Sequence, residues 1–286
     1  EIFELQAEMG FNCAYYMLHQ PFMTEEAEAK LGVVMDNAES LGMRIIIYYK
    51  SYDYEDDRQK WEAELLDVVA RHKDHPALLA WWVYDEPLLR KIEWLEGLCD
   101  SVGQADPYHP VFVNWCDRGH GWTSRMTEVT GDVCLLDGYY INCFEQSSAQ
   151  AWSTIGGHCR DMRAEAMKTG KLVGYINGLH GWHTAIREHS PAEQRFVTYV
   201  SLIGGAKMLL YFGGPYTMNM ELRETFSSLS HELATLTPIV ANPEVRQRVA
   251  CDNRGIDYTA YAAPDGLYVI TLNTGANDER ATFRIR

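Results

Sequence analysis

The chain has 286 residues and a formal net charge of −15, with 47% hydrophobic and 23% charged residues, which is an ordinary globular balance with room for one large core. The acidic excess argues against nucleic acid or an anionic membrane as partner, because both are gripped by clustered Lys and Arg. No apolar run approaches the roughly 18 residues that a spanning helix needs.

From its first residues the sequence alternates amphipathic helical stretches with short apolar runs. A helix over Glu1–Met9 precedes strand candidates at Phe11–Leu18, Arg44–Tyr49, Leu78–Tyr84, Val111–Trp115, Val133–Tyr140, Leu172–Ile176 and Lys207–Phe212. Between them run helical segments such as EEAEAKLGVVMDNAESLG and PAEQRFVTYVSLIGG, with apolar residues at three- and four-residue spacing. Several of these segments close on glycine, the residue that best takes the left-handed conformation ending a helix. Strands that alternate with helices in this way are parallel and joined by crossovers, and runs apolar on both faces fit buried parallel strands.

The uniform repeat, and the lack of a glycine-rich phosphate fingerprint after any strand, predict a (β/α)8 TIM barrel in the α/β class rather than a doubly wound sheet. Seven strands are counted where a barrel has eight, so the first strand is expected upstream of residue 1. After a helix over Met220–Leu236 the pattern changes. Pro238 and Pro243 punctuate it, and GIDYTAYAA, LYVITLN and RATFRIR follow as short alternating runs, the first two separated by a Pro-Asp-Gly turn. The expected division is a barrel over 1–242 and a small antiparallel β appendage over 243–286.

Catalytic groups of such barrels project from the C-terminal ends of the strands. The third run ends in Asp85-Glu86-Pro87, two acids beside Trp82 and Tyr84. Simple alternation places Glu86, Tyr84 and Trp82 on one face and Asp85 on the other. The fourth run ends in Asn114-Trp115-Cys116-Asp117, the fifth in Asp137-Gly138-Tyr139-Tyr140, and the sixth in Asn177-Gly178-Leu179-His180-Gly181-Trp182-His183. Tyr48, Tyr49, Lys50, Tyr211, His19 and Gln20 complete the rim. A rim of carboxylates, amides and aromatic rings suits a sugar, which offers an apolar face and a belt of hydroxyls. Glycosidic cleavage needs a protonated carboxyl for the leaving oxygen and a second carboxylate as nucleophile or base. Glu86, next to aromatic rings, is expected to hold its proton for that duty.

HPALLAWWVYDEP, VFVNW, DVCLLDGYYI and PAEQRFVTYVSLIGGAKMLLYFGG, in this order, resemble the barrel of glycoside hydrolases, in particular bacterial barrels with a W-x-x-x-D-E-P strand end. The resemblance runs over about residues 1–240 and implies an O-glycoside hydrolase acting on an oligo- or polysaccharide. With the first strand upstream, Asp-Glu falls on the fourth barrel strand. Glu86 then matches the acid/base of the retaining clan, and Asp85 takes the place of the clan's sugar-holding Asn. The clan's nucleophile closes the seventh strand, where this sequence reads YINGLHG without an acid. Asp137 is taken as its substitute, with Asp117 in reserve. Asp85, Trp82, Asn114, Trp115, Tyr139, Asn177, His180, Trp182 and Tyr49 are assigned to substrate.

Two other readings stay open. One is a catalytically inactive carbohydrate-binding barrel; the other is a metal-dependent hydrolase using His180, His183 and Asp137. No cofactor or metal is otherwise expected, since the His pair lacks an acidic companion at ligand spacing and the seven cysteines show neither CxxC nor zinc spacing. The cysteines read as buried free thiols. Oligomeric state and compartment are left open, a secreted or periplasmic setting being compatible.

Overall fold

The computed structural model describes residues 1–18, 24–49, 58–116, 124–138, 148–178, 188–275 and 277–286. These form two compact units, one of residues 1–137 and 164–174 and one of residues 138–163 and 175–286. Strands β1 to β7 follow one another in chain order in a parallel sheet, alternating with helices, and the fold is a (β/α)8 barrel with seven strands among the described residues. None of the described helices is long and apolar enough to cross a membrane.

The first unit runs α1 (Ile2–Glu8), β1 (Cys13–Leu18), α2 (Glu25–Ser40), β2 (Arg44–Tyr49), α3 (Arg58–His72), β3 (Leu78–Asp85), α4 (Ile92–Ala105), β4 (Val111–Cys116), a short α5 (Ser124–Val129) and β5 (Val133–Asp137). β3 takes in Asp85, one residue beyond the run read from the sequence, and β5 stops at Asp137. Thr24 caps α2 by accepting from the Ala27 amide at 3.1 Å. The strands are buried on both faces: Ile45, Ile46, Ile47, Tyr48 and Tyr49 in β2 are each at most 1% exposed, as parallel strands under helices must be.

Two local features of this unit set the site. The register of β3 against β4 pairs Trp82 with Phe112 and then Tyr84 with Val113, so Val83 is an extra residue. The bulge cancels one step of the alternation. Trp81 and Tyr84 both turn to the helices, Trp81 donating its indole N–H to Asp106 at 2.8 Å and Tyr84 packing edge-on against Trp94 at 5.5 Å. Trp82 instead packs against Tyr48 and Phe112. The other feature is Gly131, at φ 73°, where an added Cβ would lie 2.2 Å from the Val111 carbonyl oxygen. Asp132 donates its amide to that same oxygen and accepts the Val111 amide on its carboxylate. This close approach aligns the starts of β4 and β5.

The second unit holds most of α6 (Ser148–Thr169) and of β6 (Leu172–Gly178), followed by α7 (Pro191–Ile203), β7 (Met208–Phe212) and α8 (Met220–Val240). Ser190 and Glu193 form a reciprocal capping box around Pro191 at the start of α7. α8 continues four residues past Leu236, through Pro238. Ile239 and Val240 pack on the core of this unit, which outweighs the hydrogen bond that proline cannot donate. β9 (Ile256–Ala263) and β10 (Gly266–Asn273) form an antiparallel hairpin turning at Pro264-Asp265, and β8 (Val249–Cys251) pairs with β11 (Phe283–Ile285). Tyr261 and Ile270 from the hairpin share one core cluster with Tyr199, Leu202, Ile203 and Leu229 from the helices.

Candidate active site

The bulge at Val83 brings Asp85 to the face of β3 that carries Trp82, so the face assigned to Asp85 by simple alternation is corrected. Asp85 stands opposite Asn114 in the β3–β4 register, and Asn114 Nδ2 donates to Asp85 Oδ1 at 2.9 Å. Its second N–H donates to Asp137 Oδ2 at 3.0 Å. Glu86 is the one non-glycine residue with positive φ among those described, at 42°. Its amide donates to the Asn114 carbonyl at 2.9 Å, which holds it in this sparsely allowed conformation. Its carboxyl meets that of Asp137 in a hydrogen bond. Strain of this kind gathers where a side chain must be aimed against the local preference of the backbone.

Asp137 is 4% exposed. Burial first, then repulsion from Glu86 and Asp85, hold its carboxyl well above the usual carboxylate range, with the Asn114 donor acting in the opposite sense. Below Asp85 lies an aromatic floor. Tyr48 of β2 stacks on Trp82 with ring centroids 4.2 Å apart and planes 16° apart, and Tyr15 of β1 meets the same indole edge-on at 5.6 Å. The Tyr48 hydroxyl donates to Asp85, and burial followed by the Asp85 charge pushes this phenol far above its ordinary value. Burial and Asp85 push the Tyr15 phenol up to about 12.

Glu86, Cys116 and Asp137 bring two carboxylate oxygens and a thiol within 4.8 Å of one another, which is close enough to hold a cation. Asp36, Glu39 and His75 gather on the surface, but His75 uses Nδ1 to accept the Ala77 amide and sets Nε2 at 3.1 Å from Asp36. Both ring nitrogens are engaged in joining α2 to the start of β3.

Of the residues assigned from the sequence, Glu86, Asp137, Asp85, Asn114 and Trp82 come together in the first unit. Trp82 is 4% exposed and enclosed by Tyr48, Tyr15 and Phe112, so it is floor and not a stacking platform for sugar. Asn114 spends both amide donors on carboxylates. Tyr49 turns to the helix side, where its hydroxyl donates to Glu64 at 3.2 Å and its ring packs on Trp61. Trp115 is next to Asn114 in β4, so it takes the opposite face, and it is 2% exposed. Asn177 belongs to the second unit, is 1% exposed, and its Nδ2 has no hydrogen-bond partner among the described residues. Tyr211 shares a hydrogen bond with Thr198 and meets Phe226 edge-on. Tyr139, His180 and Trp182 lie outside the described residues, as do His19, Gln20, Lys50, Asp117, Tyr140 and His183. Tyr15 is a site neighbour that the sequence reading does not name, and Tyr48 and Cys116 are ones it places at strand ends without assigning them to substrate. Tyr48 and Tyr49 are adjacent tyrosines, and only the strand register, which pairs Tyr48 with Trp82, tells them apart.

Solved structures share this architecture. A family 5 mannosidase from Rhizomucor miehei in complex with mannosyl-fructose aligns with 82% of this chain and 86% of its own, at 10% identity and a TM-score of 0.65. A beta-galactosidase from Halorubrum lacusprofundi aligns with 83% of this chain and 56% of its own, at 12% identity and a TM-score of 0.66. The fold shared with these structures is the (β/α)8 barrel. A third barrel of this kind, a family 5 glycoside hydrolase from Streptomyces cattleya in complex with Manb1-4GlcNAc, aligns with 81% of this chain and 73% of its own, at 12% identity and a TM-score of 0.58. No protein-family model matches the sequence, and no curated protein matches it.

Proposed function

We propose that this barrel is a glycoside hydrolase that cleaves O-glycosidic bonds of an oligo- or polysaccharide, with Glu86 delivering the proton to the leaving oxygen. The observation that carries the reading is the hydrogen-bonded carboxyl pair of Glu86 and Asp137 at the strand ends. Two carboxyls in contact in a dry place do not both ionise, so the pair keeps one proton in solutions where an isolated carboxyl has lost its own. Asp137 is buried and Glu86 is partly exposed, so Glu86 is the member that can present the proton to substrate. General-acid catalysis of this type contributes about 10²–10⁴-fold.

The role of base or nucleophile suits Asp137 less well. Retaining glycosidases separate their two carboxyls by about 5–5.5 Å and inverting ones by more, to admit a sugar carbon or a water. For Asp137 to act in either way, the two carboxyls must part when substrate enters. Asp85, oriented by donors from Tyr48 and Asn114, is the carboxylate we assign to steadying positive charge at the anomeric carbon.

The test is hydrolysis of a panel of aryl glycosides and of plant and algal polysaccharides by the wild type and by Glu86→Gln. Loss of several orders of magnitude in the variant, with sugar binding retained, is the expected result; equal rates would remove Glu86 from the mechanism. A second reading, a barrel that binds sugar without cleaving it, is favoured by β6, which ends in Asn177-Gly178 where the resemblance puts a nucleophile. Saturable binding with no release of sugar from any substrate would decide for it.

A further inference from the structure

Asn114 touches all three acidic residues of the site. One amide hydrogen goes to Asp85 at 2.9 Å, the other goes to Asp137 at 3.0 Å, and the backbone carbonyl takes the Glu86 amide at 2.9 Å. The side chain is 1% exposed, and its Oδ1 has no hydrogen-bond partner among the described residues. An unpaired buried acceptor is disfavoured. Turning the amide over would aim Oδ1 at two carboxyls, which accept and do not donate when ionised. The unpaired oxygen is therefore the consequence of keeping both donors on Asp85 and Asp137.

We propose that Asn114 is the positioning residue of this site, its side-chain amide fixing Asp85 and Asp137 and its backbone carbonyl anchoring Glu86. The assignment rests on the reading of Glu86 as proton donor only for its bearing on catalysis; the geometry stands without it. Without the Asn114 side chain, Asp85 and Asp137 would lose the donor group they share, while the backbone carbonyl that accepts the Glu86 amide is kept by any residue at this position. Among the described residues, the titratable groups facing Asp137 include Glu86 and Asp85 from the end of β3 and Cys116 from β4, with Tyr48 and Tyr15 standing beside Asp85. Each of these is neutral or acidic, and the Asn114 donor favours the ionised form of Asp137. Removing it should drive the titration of Asp137 to higher pH.

The experiment is a carboxyl-carbon NMR titration of protein labelled with 13C at Asp Cγ and Glu Cδ, in wild type, Asn114→Ala and Asn114→Ser, with Asp137→Asn used to assign the signal. The expected wild-type signal titrates above the usual aspartate range. It should move up by about one further pH unit in Asn114→Ala, the equivalent of one hydrogen bond to a charged group, and by less in Asn114→Ser, which keeps one donor. An Asp137 signal at the same pH in wild type and variants would overturn the proposal. If the alanine variant does not fold, the serine variant decides by the same criterion. The titration needs no turnover, so it separates the two readings. A shifted signal in a protein that cleaves no glycoside keeps Asn114 in its role and removes the hydrolase, and an unshifted signal in an active enzyme does the reverse.

Discussion

Tyr48 lies nearly parallel to Trp82, 4.2 Å away between ring centroids, while its hydroxyl donates to Asp85. The same side chain is thus part of the floor and part of the charge arrangement above it. Tyr48→Phe separates the two, since it keeps the stack and removes the hydrogen bond. A hydrogen bond to a charged group contributes about 1.5–3 kcal/mol, so kcat/KM should fall about 10- to 100-fold, with stability lowered by only about 1 kcal/mol. Trp82→Ala should instead cost about 3–5 kcal/mol of stability in urea unfolding, because it empties a buried aromatic site. Wild-type turnover in Tyr48→Phe would show that Asp85 does not depend on this donor.

Glu86 is held at φ 42°, where a residue with a Cβ carries about 1–2 kcal/mol of strain and glycine carries almost none. Replacing its carboxyl by Ala or by Gly removes the same catalytic group, and the two variants differ only in that strain and in glycine's greater chain entropy. Glu86→Gly should be the more stable of the two by about 1 kcal/mol, or about 2–4 °C in Tm, with both inactive. Equal melting temperatures would mean that the backbone relaxes once the carboxyl is gone.

The order of elements was legible from periodicity, because buried parallel strands and amphipathic crossovers write two different repeats into the chain. Asp85, Glu86, Asn114 and Asp137 could be found as polar residues at strand ends. Their mutual arrangement could not, because it depends on one extra residue, Val83, that shifts the register and reverses the face of everything after it. The choice of Tyr49 over Tyr48 fails for a related reason: both are equally buried and aromatic, and only pairing with Trp82 separates them. The expectation that Glu86 is the carboxyl with the raised pKa rested on neighbouring aromatic rings in the sequence. Asp137 is the buried member of the pair, and it is its carboxyl that burial holds well above the usual carboxylate range.

Asp137 gives stability a definite pH dependence. In the unfolded chain it loses its proton near pH 4, and in the folded protein burial, Glu86 and Asp85 hold that proton to well above this. The folded state binds more protons through that window, so the contribution of Asp137 to stability is full below about pH 4 and is lost as pH rises through its folded pKa. Asp137→Asn has no such proton to lose. Its stability relative to wild type should climb from about pH 4 upward and then level off, as read by urea unfolding across the range. A constant difference between the two proteins would place the folded pKa of Asp137 in the ordinary range.

Tyr261 tests the proposed boundary at residue 242. It is 0% exposed and shares a cluster with Tyr199, Leu202 and Ile203 of α7 and Leu229 of α8, with Lys207 Nζ 4.6 Å from its ring centroid. Arg163 and Glu244 join the same unit by an ion pair at 2.5 Å. The hairpin therefore covers an apolar helix surface that would otherwise face water, and its sequence pattern marks a change of architecture without marking an independent core. Tyr261→Ala should cost about 3–5 kcal/mol, the usual range for a large aromatic truncated in a core. A chain ending at residue 242 should expose Tyr199, Leu202 and Ile203 together and aggregate or bind a hydrophobic dye. If that shortened chain instead stays monomeric with an unchanged melting temperature, the appendage is a separate domain resting on a self-sufficient barrel.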